Sequence, residues 1–222
     1  MVQRRTVLGL MGGLAIAGVS GVSFAAGDAT GKKGGTITVA IIGEPPTLDP
    51  MLSTADVVST VTQHFFDTLY TFDSHWNVVP LLASDMPKIS DDGKTYVIPL
   101  RQGIKFHDGS TMTADDVVAC LQRWTKLATR GKGVAAKIDS ITATDDHTVT
   151  IAMNTPYSPM MSLLAFSNSA CMITPKSNLG DQLTAIIGTG PYKLADHKPD
   201  QYIQVVRFDD YQSRTEPSDG SF

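Results

Sequence analysis

The sequence predicts a mixed α/β fold in which helices and short strands interleave along the chain. Three observations carry this reading. A β-branched run from Thr36 to Ile42 is followed, after a Pro-rich turn, by apolar residues at helical spacing. An amphipathic helix with its own start signal opens at Thr113. Two β-branched runs flank Asp145-Asp146-His147 as a hairpin.

The elements follow in order. Thr36 to Ile42 reads as a strand, stopped by Gly43-Glu44-Pro45-Pro46, and Leu48-Asp49-Pro50 is a turn. Val57, Val61, Phe65, Leu69 and Phe72 then recur at helical spacing, with Ser53 or Thr54 able to cap that helix through a free backbone N–H. Asp91-Asp92-Gly93 turns the chain into a strand, Lys94 to Leu100, whose Pro99 favours an edge position. After the His107-Asp108-Gly109 turn, Thr113 caps a helix to about Ala128, with Val117, Leu121, Trp124 and Ala128 on one face. Asp115 and Asp116 in its first turn suit the positive end of the helix dipole. Lys132 to Ala136 reads as a loop. Ile138–Thr144 and Thr148–Met153 form the hairpin, and Met160–Phe166 a short apolar helix behind Pro156 and Pro159. Gly188-Thr189-Gly190-Pro191 breaks the chain before a last strand pair, Tyr192–Leu194 and Gln201–Phe208.

Composition narrows the class. At roughly 150 residues per domain, 222 residues allow one large domain or two small ones. Lys and Arg number 18 against 22 Asp and Glu, a net charge of -4, which argues against a nucleic-acid binder. Residues 1–25 read as an export signal: Arg4-Arg5 form the positive start, an uncharged Gly-diluted apolar stretch follows, and Ser23-Phe24-Ala25 suits a signal peptidase. An uncleaved anchor is the alternative. The arginine pair resembles a twin-arginine signal, and a general secretory signal with two arginines reads equally from these residues. Residues 26–35 form a polar, flexible leader. Cys120 and Cys171 then face an oxidising compartment, where a bridge is allowed. The helical pattern of Cys120 with Trp124 and Leu127 favours a buried free thiol.

Several segments together resemble a known family. Gly-Gly-Thr-Ile-Thr-Val (34–39) is followed by Glu44-Pro45-Pro46-Thr47-Leu48-Asp49-Pro50 and Pro80-Leu81-Leu82-Ala83. The most specific stretch runs from Asp91 to Val117, through Leu100-Arg101-Gln102-Gly103-Ile104-Lys105-Phe106-His107-Asp108-Gly109 and Thr113-Ala114-Asp115-Asp116-Val117. The series ends with Gly188-Thr189-Gly190-Pro191-Tyr192. Together they resemble the family 5 extracellular solute-binding proteins, which serve peptide, nickel and related ABC importers. The resemblance implies a periplasmic-binding-protein-like fold of type II: two lobes around a ligand cleft, with a subdomain inserted in the first. It implies that 36–60 and 170–222 are first-lobe segments and 61–169 the inserted subdomain. The second lobe is expected to be absent from this chain, which reads as an amino-terminal portion. The acidic residue that pairs with a peptide's amino end in family members belongs to that absent half and carries over to no residue here.

The implied function is that of a periplasmic substrate-binding protein, not an enzyme. It would close around a peptide or similar small solute and deliver it to the permease subunits of an ABC transporter, as a monomer with no nucleic-acid partner. The resemblance puts first-lobe ligand contacts just after the first strand, which makes Ser53, Thr54 and Asp56 the candidate binding residues. The plain alternative is a helix cap and a dipole partner. Arg101 reads as a strand-edge ion pair, and His107-Asp108-Gly109 as turn chemistry. His64, His75, His107, His147 and His197 lack metal-ligand spacing, and no cofactor motif or nucleophile elbow occurs. The rival reading from another class is a fragment of a secreted hydrolase whose catalytic half is missing, and a third is an inactive truncation product.

Overall fold

The computed structural model describes residues 34–214. The expected export signal, 1–25, and most of the leader lie outside the described residues. The chain divides between Val39 and Ala40 into two units. In the first, residues 34–39 form no helix or strand, and Ile37 is 89% exposed. The second unit holds every helix and strand described below.

The expected strand at Thr36 to Ile42 is therefore not formed. β-Branched residues favour extended backbone, but a strand exists only as a ladder of shared hydrogen bonds. No described residue pairs with this run, and Ile42 is left 99% exposed. The expected helix through Phe72 is also shorter. Helix α1 covers Asp56–Thr62, and strand β1, Tyr70–Phe72, pairs antiparallel with β2, Val78–Pro80. Phe65 and Leu69 are buried as the spacing requires, but in the connection. The turn beyond Phe72 explains the change. The Asp73 carboxylate accepts from the Asn77 side chain (3.0 Å) and from the backbone N–H groups of His75 and Asn77 (both 2.8 Å). That closes a hairpin in which Trp76 takes a left-handed φ of 63°.

The main sheet is antiparallel, in the order β3-β4-β6-β5, built from Lys88–Ile89, Thr95–Pro99, Ile138–Asp145 (β5) and Thr148–Met153 (β6). The 145–147 hairpin and its two strands match the expectation. Strand β4 is internal, contrary to the edge position expected from Pro99. Leu100 N–H donates to the His147 carbonyl (2.8 Å), so by alternation the Pro99 nitrogen faces the opposite side. There β3 begins only opposite Val97, and beside Pro99 the pairing is limited to an isolated bridge, Ala83 with Leu100, in which the Pro99 carbonyl accepts from Ser84 N–H (2.9 Å) and its nitrogen has no need to donate.

Helix α2, Ala114–Leu127, opens as expected with a capping box between Thr113 and Asp116. It packs on β5 and β6, and Val117, Leu121 and Trp124 share one buried core with Val149 and Ile151. Of the residues read as a loop from Lys132 to Ala136, all but Ala136, its C-cap, belong to helix α3, Thr129–Ala135. Gly131 permits it: a Cβ there would sit 2.1 Å from the Trp124 carbonyl oxygen, so only glycine lets α3 close onto α2. Helix α4, Met160–Ala165, lies against β1. In the last hairpin, β7 (Tyr192–Lys198) runs further than the sequence indicates and β8 (Tyr202–Arg207) is shorter. Cys120 and Cys171 are buried, free thiols.

Candidate functional site

The segment Ser53–Asp56 leaves a short 3-10 turn, Pro50–Leu52, whose start is built from local chemistry. Thr47 Oγ1 accepts from the Asp49 N–H (3.0 Å), and Asp49 Oδ1 accepts from the Met51 N–H (3.0 Å). Pro50 fills the first position, where its missing N–H costs nothing. Ser53 is half-buried and its Oγ accepts from Ala55 N–H (3.1 Å). Thr54 and Asp56 are exposed. The expected side-chain cap on α1 is not made. Ala55 holds the cap position with no side-chain bond, because the Ser53 hydroxyl is turned into its own local turn. Asp56 does occupy the first helical turn, where its charge faces the helix N-terminus.

What holds this segment in place is Arg123 of α2, which the sequence reading did not single out. Its guanidinium forks onto Asp49, with Nη2 2.6 Å from Oδ2 and Nη1 3.3 Å from Oδ1. Nε donates to the Gly180 carbonyl (2.7 Å), Nη2 also to the Asp181 carbonyl (3.1 Å), and Nη1 also to Met51 Sδ (3.2 Å). Both side chains are almost wholly buried, at 6% and 5% exposure. Removing one partner of such a pair strands a charge away from water, at a cost of roughly 3–5 kcal/mol. The available signal was positional: Arg123 stands three residues after Cys120 and one before Trp124, on a buried helix face that is mostly apolar.

The Gly188-Thr189-Gly190 loop is the second fixed feature. It presses onto the chain at Phe65, where a Cβ on Gly188 would stand 2.1 Å from the Phe65 carbonyl oxygen and one on Gly190 2.6 Å from its carbonyl carbon. Gly190 and Tyr192 N–H donate to the Phe65 and His64 carbonyls (2.9 and 3.0 Å). His107 clasps the loop from the other side. Its Nδ1 accepts from Gly188 N–H (3.2 Å) and its Nε2 bonds the Gly190 carbonyl (2.9 Å). One nitrogen must accept and the other donate, which selects the neutral ring, and burial lowers the pKa in the same sense. With both nitrogens bound to backbone, this ring is a staple and not a general base. Asp108 makes the expected turn, accepting from Ser110 N–H (2.9 Å) and Oγ (2.7 Å).

Beneath the loop, the buried Asp67 carboxylate accepts from Thr189 Oγ1 (3.0 Å). Burial pushes its pKa up to about 6, against the opposing pull of that bond and of Arg101. Arg101 was expected in a strand-edge ion pair. It donates instead to carbonyls, those of Leu81 (3.3 Å), Gln212 (2.9 Å) and Ser213 (3.1 Å), which pins the end of the described chain. Tyr211 is pushed up to about 12 by burial and by the Asp67 charge, while Arg101 and Arg214 act the other way. The buried Cys120 thiol is likewise pushed up to about 12, and Cys171 well above its ordinary value, which makes both poor nucleophiles. Among the described residues no group of three or more His, Cys, Asp or Glu side chains forms a metal cluster.

The arrangement presents polar loops held by buried and part-buried hydrogen bonds. The family model for bacterial extracellular solute-binding proteins, family 5 (middle), matches residues 77–219. A probable peptide ABC transporter periplasmic-binding protein of Sinorhizobium fredii is 34% identical over 78% of this chain and 33% of its own length. A glutathione-binding protein of Pectobacterium atrosepticum is 33% identical over 95% of this chain and 40% of its own. Among solved structures, the periplasmic binding protein AgaA in complex with agropinic acid superposes with a TM-score of 0.70 at 32% identity, over 78% of this chain and 35% of that one. DppA of Helicobacter pylori in complex with the peptide STSA gives 0.66 at 26%, over 79% and 39%. The chain thus spans a third to two-fifths of the length of the curated relatives it matches.

Proposed function

Because the chain belongs to the family 5 bacterial extracellular solute-binding proteins, we propose that it takes part in capturing a peptide or similar small solute in the periplasm and presenting it to an ABC permease. Family membership is the observation that carries this reading. The named ligands of its relatives are a peptide, glutathione and agropinic acid. All are small and carry amino-acid-derived polar groups, so the class of solute proposed is a short peptide or an amino-acid conjugate. Following the family arrangement, 36–60 and 170–222 belong to the first lobe and 61–169 to the inserted subdomain. Ser53, Thr54 and Asp56 line one wall of the cleft. Binding energy in such a cleft comes from burying the solute between lobes and from a few fixed polar contacts, not from chemistry. Residues 1–222, which cover a third to two-fifths of the relatives' length, would supply one wall of such a cleft, and these residues by themselves are expected to bind weakly.

The test is a titration of the chain lacking residues 1–25 with glutathione, Met-Leu dipeptide and agropinic acid, followed by amide NMR. One of them is expected to shift the amides of residues 53–56 at high micromolar to millimolar concentration. Silence at 53–56 with all three sinks the assignment of these residues, and submicromolar binding sinks the one-wall reading. Export is tested separately. Changing Arg4 and Arg5 to lysine abolishes export by the twin-arginine route and leaves the general secretory route intact.

A further inference from the structure

We infer that Arg123 is a positioning residue that locks two exposed segments, Ser53–Asp56 and Gly180–Gln182, into one solute-contact surface, which adds Asp181 and Gln182 to the contact residues. The inference rests on the proposed solute-binding reading and deepens it.

Arg123 itself does not touch solute. A guanidinium has five N–H donors, and all five are taken: one by the Gly180 carbonyl, two by Asp49, one by the Asp181 carbonyl and one by Met51 Sδ. What it does is join two parts of the chain that lie far apart in sequence. On one side Asp49 starts the 3-10 turn that delivers residues 53–56. On the other, the carbonyls of residues 180 and 181 are held on the same group, the latter by the nitrogen that also binds Asp49 Oδ2.

The second segment is polar and exposed at Gly180, Asp181 and Gln182, as the first is at Thr54 and Asp56. Its far end is fixed as well. Asn178 Oδ1 accepts from Ala185 N–H (2.9 Å) and its Nδ2 donates to the Ala185 carbonyl (2.9 Å), so the loop is gripped at both ends while its tip stays in solvent. A buried ion pair is a costly way to add stability, and an apolar pair of the same volume would serve as well. What the fork adds is geometry. Its planar donors hold two backbones at set distances, which a flexible ammonium cannot reproduce.

The experiment compares wild type with Arg123→Lys, Asp49→Asn and Gln182→Ala. Amide hydrogen exchange is read at residues 51–56, at 180–185 and, as reference, in β6. Arg123→Lys keeps the charge and loses the fork. It is expected to speed exchange in both segments at least tenfold more than in β6, which reports the loss of global stability, and Asp49→Asn is expected to do the same. Gln182→Ala is expected to leave exchange and thermal midpoint untouched and to weaken the glutathione or Met-Leu shift several-fold. Loosening of one segment only, or wild-type exchange in Arg123→Lys, overturns the coupling. Solute shifts at 53–56 with none at 180–182 overturn the shared surface and leave the solute-binding reading standing. No solute shift in either segment overturns that reading, and the contact role of 180–182 with it.

Discussion

Asp67 offers the most direct check of how the 188–190 loop is held. Its carboxyl titrates near 6 instead of the ordinary 3.8, because burial penalises the charged form more than Thr189 and Arg101 relieve it. At about 1.4 kcal/mol per tenfold, that difference makes ionised Asp67 cost the folded state about 3 kcal/mol. The sign follows from linkage. A carboxyl whose pKa rises on folding stabilises the fold below pH 3.8, and this contribution is lost as pH rises through about 6. Asp67→Asn removes the titration and keeps an oxygen that can accept from Thr189 Oγ1. The two proteins are then compared by urea unfolding between pH 4 and 7.5, with Trp124, buried in the core, as fluorescence reporter. The variant is expected to gain on the wild type by about 2.4 kcal/mol across that range, since part of the penalty is already present at pH 4. Other titrating groups, His107 among them, are common to both proteins and drop out of the difference. A gap that stays constant from pH 4 to 7.5, or one that moves in favour of the wild type as pH rises, refutes the reasoning.

The remaining expectations use the same unfolding assay or a simple label. Gly188→Ala should cost at least the ~1–3 kcal/mol of an overpacked core, because its Cβ would meet the Phe65 carbonyl at 2.1 Å; Gly133→Ala, with nothing within 4 Å, serves as the harmless control. His107→Phe keeps the edge contact to Phe208 and loses both loop bonds, so it should destabilise by about 2 kcal/mol. Because the His107 pKa is lowered on folding, its share of stability is present above pH 6.5 and lost as pH falls, and the variant should show less acid sensitivity below 6.5. Both thiols should resist a thiol reagent in the folded protein and react in urea with the same midpoint as the fluorescence; fast labelling of either without denaturant contradicts the burial of Cys120 and Cys171.

Elements with strong local signals were legible in advance. The capping box at Thr113, the apolar stripe of α2 and the 145–147 hairpin depend on residues within a few positions of one another, and each formed as read. The misses share a different origin. The run at 36–42 has every local property of a strand, yet strand formation depends on a partner that local sequence does not specify. Phe65 and Leu69 keep a helical rhythm because both must be buried, and burial was met through a turn and a new strand instead. Pro99 argued for an edge, but which side its nitrogen faces is settled only by the register with β6.

The same division runs through the candidate site. Family and fold class are carried by contiguous motifs, and the chain alone was enough to identify them. Arg123 on Asp49, His107 on the 188–190 loop and Asp67 under Thr189 join residues 74, 83 and 122 positions apart. No local pattern encodes such pairings. They arise when packing removes water from groups that must then find new partners, and only the tertiary structure decides which partners lie within reach.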